Sequence, residues 1–308
     1  LAGPFPSELE ILGLGKEVTW GTAVVPDFYL SAKNIKAEDV IKYVKDQGMR
    51  GVMATTQNVY AGVQSSTFSA DFEVFPDSLG RVLQAIIGTD AVTGTTPNFI
   101  HTFKLNKTSQ PISSTINYFD GYETRQYAGA MLTELSLKWS EGADVQGSFK
   151  AEGKPSVVGT ALTQAYGTLT AFQGWQAALT IGGTADLNLV GFQLDLKRKA
   201  YTQYAANDSQ APSAIIAKGL EVTGKMTFDI AGDTELTAFL TNTQPIVVVT
   251  LTQNTNTSLQ ITMSQCAFMK APLGGKDVVQ LDVDFEGVNN TTDGGPVAVV
   301  LKNQTATY

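Results

Sequence analysis

QYAGAMLTELSLKWSEGADVQGSFKAEGK, residues 126–154, reads as two strands joined by a turn. Leu135, Leu137 and Trp139 alternate with Glu134, Ser136 and Lys138. After the polar turn Ser140-Glu141-Gly142, a second run sets Gln146, Ser148, Lys150 and Glu152 on one parity. Period-two alternation gives a strand one buried face and one wet face. A diverged form of the block returns near the C-terminus, so the chain is expected to be mainly β and internally repeated.

Composition narrows the function. A chain of 308 residues holds one large all-β domain or two ordinary ones. Only 16% of residues are charged, few for a chain that stays soluble alone, so partners are expected to cover much of the surface. The 21 basic and 29 acidic residues give a net charge of −8. That balance argues against gripping a phosphate backbone, which takes clustered Lys and Arg. Cys266 is the lone cysteine, so an intrachain disulfide is excluded. There is no apolar run of membrane-spanning length and no signal-peptide pattern at the start, so no membrane partner is expected.

Working outward, residues 67–75 alternate, with Phe68, Ala70, Phe72 and Val74 on the apolar side. Leu79, Val82, Leu83 and Ile86 then form one helical stripe, with Asp77 as expected N-cap and Gly88 at the C-terminal end. Residues 31–66 fit strand and helix equally well and are taken as a long loop or arm, a feature that is usually functional. Residues 89–109 read as turns around a strand at 99–105. The small polar stretch 156–174 is expected to link a first unit, 1–155, to a second, 175–308. In the second, Phe192, Leu194 and Leu196 alternate, as do Val222, Met226 and Phe228. Asp233 caps a short helix carrying Leu236, Phe239 and Leu240.

The repeat is visible as identities. Gln110-Pro111-Ile112 recurs as Gln244-Pro245-Ile246, an offset of 134 (244 − 110). In that register Gln126 meets Gln260, Val145-Gln146 meets Val279-Gln280, and Glu152-Gly153 meets Glu286-Gly287. Upstream, Phe72 and Val74 match Met226 and Phe228, and the two helices match at an offset of 157 (236 − 79). The first half therefore carries some twenty extra residues after its helix, at about 89–109.

These motifs carry a resemblance. Gly15-Lys16-Glu17 with Gly21-Thr22-Ala23-Val24 and Pro26 resembles the N-terminus of tail tube proteins of long-tailed bacteriophages. So do the strand and helix at 72–87, and Phe119-Asp120-Gly121-Tyr122-Glu123-Thr124-Arg125 leading into the opening block. The resemblance covers residues 10–155 well and the rest by pattern. It implies β-sandwich units, each with a short flanking helix, that contribute strands to an intermolecular β-barrel. It also implies self-assembly into stacked rings, a bore that passes DNA without specific binding during genome ejection, and a place in the virion tail after synthesis in the host cytoplasm. A tape measure protein and a tail terminator are the implied partners. Family rings are commonly six-fold, so a two-unit chain would close a pseudo-six-fold ring with three copies, a hexamer being the alternative. Elementary physics agrees: barrel bore grows with strand number, and assembly removes exposed sheet edges.

On this reading Glu134, Glu152, Asp282, Asp284 and Glu286 line the lumen, the bland alternative being an ordinary solvated face. Ile41, Tyr43, Val44, Met49 and Met53 are expected to touch the next ring. No enzyme, metal or cofactor is expected. His101 is the only histidine, Cys266 has no basic neighbour in sequence, and no glycine run has the phosphate-loop pattern. A carbohydrate-binding β-sandwich adhesin is the alternative function, and a hydrolase on a β-scaffold stands third.

Overall fold

The computed structural model describes residues 4–275 and 278–308. The first half contains β1 (Ile11–Lys16), β2 (Phe28–Leu30), β3 (Ala32–Asp46), β4 (Asn58–Glu73), α1 (Pro76–Ile87), β5 (Gly88–Thr95), β6 (Asn98–Leu105), β7 (Ser114–Phe119), β8 (Thr124–Ser140), β9 (Gln146–Gly153) and β10 (Val157–Val158). The second contains β11 (Ala177–Ile181), β12 (Thr184–Asp186), β13 (Leu189–Gln203), β14 (Ala214–Asp229), α2 (Thr234–Leu240), β15 (Val247–Asn254), β16 (Thr257–Met263), β17 (Cys266–Lys270), β18 (Leu273–Gly274), β19 (Gln280–Gly287) and β20 (Ala298–Asn303). The protein is mainly β, and every strand pairing is antiparallel.

One sheet runs through both halves in the order β3-β4-β9-β8-β13-β14-β19, with β17 and β18 end to end beyond β19. Strand β8 is the branch point of this sheet, which continues beyond it through β7, β1 and β2. Its C-terminal part pairs with β9 and β13, while its N-terminal part pairs with β7 and β10. The other layer follows β12-β11-β15-β16-β20-β6-β5, so β6 of the first half lies beside β20 of the second. The parity read from residues 126–154 holds: Leu135, Leu137, Trp139, Phe149 and Ala151 are buried.

Strand pairing in the two halves matches closely, differing at the first irregularity, which lies between Lys33 and Lys36 in one half and between Leu189 and Gly191 in the other. Strands β3 and β4 are 15 and 16 residues long, as are β13 and β14. Adding 157 (189 − 32) carries β3 onto β13, and adding 156 (214 − 58) carries β4 onto β14. Asp46 opposite Asn58 becomes Gln203 opposite Ala214. The irregularity between Ile41 and Tyr43 becomes the one between Arg198 and Ala200. The irregularity between Leu132 and Glu134, facing Ala151 and Lys150, reappears between Phe268 and Lys270, facing Phe285 and Asp284. Gln126 lies opposite Val157, and Gln260 opposite Val300. The hairpin β5–β6 lacks a counterpart and accounts for the surplus after the first helix. Strand β8 runs unbroken where β16 and β17 are separated by Ser264 and Gln265. Register also places Phe72 with Phe228 rather than with Met226, a slip of two residues that keeps parity.

Three expectations are corrected. Segment 31–66 is mostly the two arms of a hairpin rather than a loop: Val40, Ile41, Tyr43 and Val44 are β-formers, and their backbone groups pair with β4. Residues 89–95 are strand β5, not turn. Helix α1 starts two residues earlier than capping by Asp77 implied, with Phe75 as N-cap and Pro76 in the first turn, where its missing N–H costs nothing.

Helix α1 is buried all round, with Asp77 its one partly exposed residue, because it lies between strands of both layers. Leu79, Val82, Leu83 and Ile86 supply its apolar face. The opposite side carries Arg81, whose Nη1 donates to Gln84 Oε1 at 2.9 Å and Nη2 to Ser114 Oγ at 3.1 Å. The ring of Tyr308 lies over Gly80, where any Cβ would come within 2.1 Å of it. The last carbonyls of the helix are met by Arg198 of β13: Nε donates to Ile86 O at 2.6 Å and Nη2 to Ile87 O at 3.0 Å. A cation belongs there, since a helix C-terminus is the negative end of its dipole. Replacing Arg198 by Met leaves Ile86 O without this donor and Ile87 O with only the long 3.4 Å bond from Asn106 N, and is expected to cost roughly 2–4 kcal/mol in urea unfolding without changing the m-value.

The only histidine is structural. His101 is buried in β6, with Nδ1 3.1 Å from both Asp90 carboxylate oxygens and Nε2 2.8 Å from Thr305 O. Both nitrogens face acceptors, which suits the imidazolium. Burial pushes the His101 pKa down, but the bonds to Asp90 and Thr305 and the charge of Asp90 outweigh it and raise the value. A raised folded-state pKa gives stability that is complete below the unfolded value, about 6.5, and lost as pH rises through the folded one. The unfolding midpoint is therefore expected to fall as pH is raised from 6 through the elevated folded value, and His101→Gln should remove that slope.

Candidate assembly surface

The outward face of the shared sheet is a woven set of charges. Opposite residues of an antiparallel pair share a face, so rows can be read straight across. One row runs Lys150, Glu134, Lys197, Glu221. The next runs Ser148, Ser136, Asp195, Thr223, Glu286. A third runs Gln146, Lys138, Gln193, Lys225, Asp284, Lys270. Asp282 faces Thr227, and Glu152 faces Thr67. The structure thus brings Glu134, Glu152, Asp282, Asp284 and Glu286 onto one face of one sheet, although they come from opposite halves of the chain.

That face is not purely acidic. Lys150 Nζ donates to Glu134 Oε2 at 2.8 Å, and Lys225 Nζ lies 2.8 Å from Asp282 Oδ2. Burial pushes the Asp282 carboxyl up, but hydrogen bonds from Lys225 and Thr227 and the lysine charge hold it below its ordinary value. The cations of the face are lysines. Of the four arginines, Arg81 and Arg198 are buried, Arg50 sits on the β3–β4 loop beside Asp46, and Arg125 pairs with Glu123 at the N-terminal end of β8. A lysine ammonium is a point charge, whereas guanidinium is the group that forks onto phosphate. Arg198 has the parity of Leu194 and Leu196, so its inward aim was legible in the sequence. Its target, the end of α1, was not.

Both outer strands of this sheet have an open side: β3 at one end and β17–β18 at the other. Open edges are templates for further pairing. Leu273 on β18 is 57% exposed, while Leu137, which occupies the corresponding place on β8, is 1% exposed beneath β13.

The β3–β4 hairpin carries the other candidates. Ile41 is half-buried, and Tyr43, Val44, Met49 and Met53 are exposed, Met49 and Met53 fully so in the loop 47–57. The loop that follows β13 lies against it: Gln64 N donates to Gln210 O at 2.8 Å, and Gln210 Nε2 to Ala61 O at 2.9 Å.

The Gly-Lys-Glu motif near the N-terminus proves to be a fold device. Glu17 is buried and accepts four hydrogen bonds, from Gly21 N, Ser113 Oγ, Thr115 Oγ1 and Gly129 N at 2.6–2.8 Å. Gly129 has φ +65 beneath the Trp20 ring, a conformation that glycine adopts at no steric cost. Lys16 Nζ donates to the Tyr308 carbonyl at 2.6 Å. Cys266 is fully buried and its thiol is pushed up to about 12 by burial, which leaves it inert. Among the described residues no His, Cys, Asp and Glu group is arranged to hold a metal ion, and no helix is long and apolar enough to cross a membrane.

Comparison with known proteins agrees with the geometry. No curated protein matches the chain. A family model described as phage tail tube protein matches residues 9–287, a span that takes in both halves, the charged face and both open edges. The chain therefore belongs to the phage tail tube protein family, and is a structural, non-enzymatic subunit of the virion tail.

Proposed function

We propose that the chain is two copies of one tube-building unit, and that three chains close a pseudo-six-fold ring whose wall is the shared sheet. The single observation that carries this is the junction between halves. Strand β8, the last of the first unit's β3-β4-β9-β8 set, pairs with β13, the first of the second unit's set. The second set, β13-β14-β19-β17/β18, has the same order and shares the irregularities at Arg198/Ala200 and Phe268/Lys270, and ends in an edge shaped to receive another β3. The strand irregularities shared by the halves support duplication, because composition alone does not set their positions.

The internal junction also fixes a register for the external one. There, Leu194 faces Leu137, Gln193 faces Lys138 and Lys197 faces Glu134. The offsets of 157 for β3 and 136 (270 − 134) for β17–β18 put Ala37 opposite Leu273 of the next copy, Lys36 opposite Gly274, and Val40 opposite Lys270. Each chain supplies eight strand positions, so three supply 24 (3 × 8). At about 4.8 Å per strand and the usual barrel tilt, that closes at roughly 45–50 Å across the backbone. Eight strands closed on themselves would leave a bore filled by side chains.

In such a ring Glu134, Glu152, Asp282, Asp284 and Glu286 face the lumen with their lysine partners. A net-acidic face on which Lys150 and Lys225 are already paired with carboxylates offers phosphate little counterion release, so DNA slides past without being held. Ile41, Tyr43, Val44, Met49 and Met53 on the long hairpin contact the next ring. A tape measure protein and a tail terminator are the partners the family implies for the bore and the tube end.

Two outcomes test this. Leu273→Lys should leave the soluble chain's unfolding free energy within about 0.5 kcal/mol, since the site is exposed there, yet abolish tubes in negative stain. Tubes at wild-type yield would contradict the edge assignment. Replacing Asp282, Asp284 and Glu286 together by Lys should give tubes that retain duplex DNA in a sedimentation assay at low salt and release it as salt rises, whereas wild-type tubes retain none. Equal retention by both would place these residues outside the lumen.

A further inference from the structure

The junction between the halves has a second component besides strand pairing. The chain enters the second half through residues 170–176, and this segment straps down the first half. Phe172 N donates to Val74 O at 3.0 Å, Val145 N donates to Phe172 O at 2.9 Å, and Gly174 N donates to Ala143 O at 2.8 Å. Phe172, Val74 and Val145 are all 0% exposed. On its other side the segment is held by its own half, where Gln253 Nε2 donates to Thr170 O and Ala171 O.

The surface that Phe172 covers has a twin that lies open. Val74 N donates to Val145 O at 3.1 Å, and in the second half Ile230 N donates to Val279 O at 3.0 Å, at offsets of 156 (230 − 74) and 134 (279 − 145). Yet Ile230 is 37% exposed, Val278 55% and Val279 59%. The strap has a twin as well. Residues 174–176 form a single 3-10 turn just before β11, and residues 7–9 form one just before β1. Gln176 N to Gln173 O and Leu9 N to Pro6 O are the same bond at an offset of 167 (176 − 9). That offset carries Phe172 onto Phe5. Phe5 is held by its own half, its ring 5.8 Å from that of Tyr122 in the β7–β8 turn, and its free side is 44% exposed.

We propose that residues 4–9 are a strap between copies of this chain, with Phe5 seated on Ile230, Val278 and Val279 of the preceding copy in the ring, as Phe172 is seated on Val74 and Val145 within the chain. The partner is a second copy because one seated example of the same strap on the same surface exists inside the molecule. The direction is consistent as well: strap and first strand come from the same unit at the internal junction, so Phe5 and β3 of one copy engage β17–β19 of another. The two contacts are independent in sequence, so the strap can be removed without touching the strand edge. This inference rests on the ring reading above.

Asp144 and Gln173 form an antiparallel bridge, and the flanking bonds make it a non-hydrogen-bonded pair, the kind with side chains closest together. Its equivalent between copies is Val278 and Pro6. Tubes of a Pro6→Cys, Val278→Cys variant, oxidised and run on a non-reducing gel, should give a covalent ladder that stops at three chains, with no ladder from either single variant. Phe5→Ala should raise the concentration needed for assembly by roughly tenfold or more, with an unchanged thermal midpoint of the soluble chain. Tubes that form normally with no ladder, together with wild-type assembly by Phe5→Ala, would overturn the strap and leave the ring reading intact. Failure of the wild-type chain to form tubes at any concentration would overturn the ring reading and the strap with it.

Discussion

An antiparallel strand has two hydrogen-bonding sides, and a sheet that stops leaves one of them unmet at each end. Everything distinctive about this chain follows from that constraint. Among the described residues its main sheet does not close on itself: β3 at one end and β17–β18 at the other pair on one side only. It runs from β3 to β17–β18, with β8 and β13 paired at the middle. On the proposed reading the join at the middle is also the join between molecules. Exposed Leu273, Ile230 and Val279 are then surfaces waiting for the contacts that Leu137, Val74 and Val145 already have.

Beneath this sheet the core is built around one helix. Helix α1 is enclosed by both layers, and the chain ends by laying Tyr308 across Gly80. Two charged groups that enter this core are well partnered: Glu17 has four donors, and Arg198 spends its guanidinium on three carbonyls, of Ile86, Ile87 and Lys218. Burial lowers the pKa of both Arg81 and Arg198, with Asp27 and Glu17 partly offsetting it at Arg81. Arg198 also ties β13 to the end of α1, so the two halves are joined by a buried ionic cap as well as by the sheet. Helix α2 has no buried residue among its seven and plays no comparable part.

Much of this was legible in the sequence because alternation is a local signal. Leu135, Leu137 and Trp139, and Leu281, Val283 and Phe285, declared their faces without reference to anything distant, and all six are buried. The offset of 134 found from scattered identities is the offset of β9 and β19. The long hairpin was harder, because its distal half is wet on both faces and so shows no period. Gly129 and Gly80 carry no local sign of the Trp20 and Tyr308 rings that require them. The lumen candidates could be placed on one parity each, but not on one sheet face, since β8 and β19 meet only through the intervening β13 and β14. The lysines beside them, Lys197 and Lys225 among them, became visible only when the rows could be read across.

The central claim is that a merged wall is made from three chains with β3 of one copy bonded to β17–β18 of the next. Cryo-electron microscopy of tubes assembled from the purified chain measures it most directly. The account expects three-fold rings of 24 strand positions around an open bore, with Ala37 opposite Leu273 at every seam between molecules. A map with six chains per ring, or with β3 and β17–β18 unpaired between molecules, would contradict it.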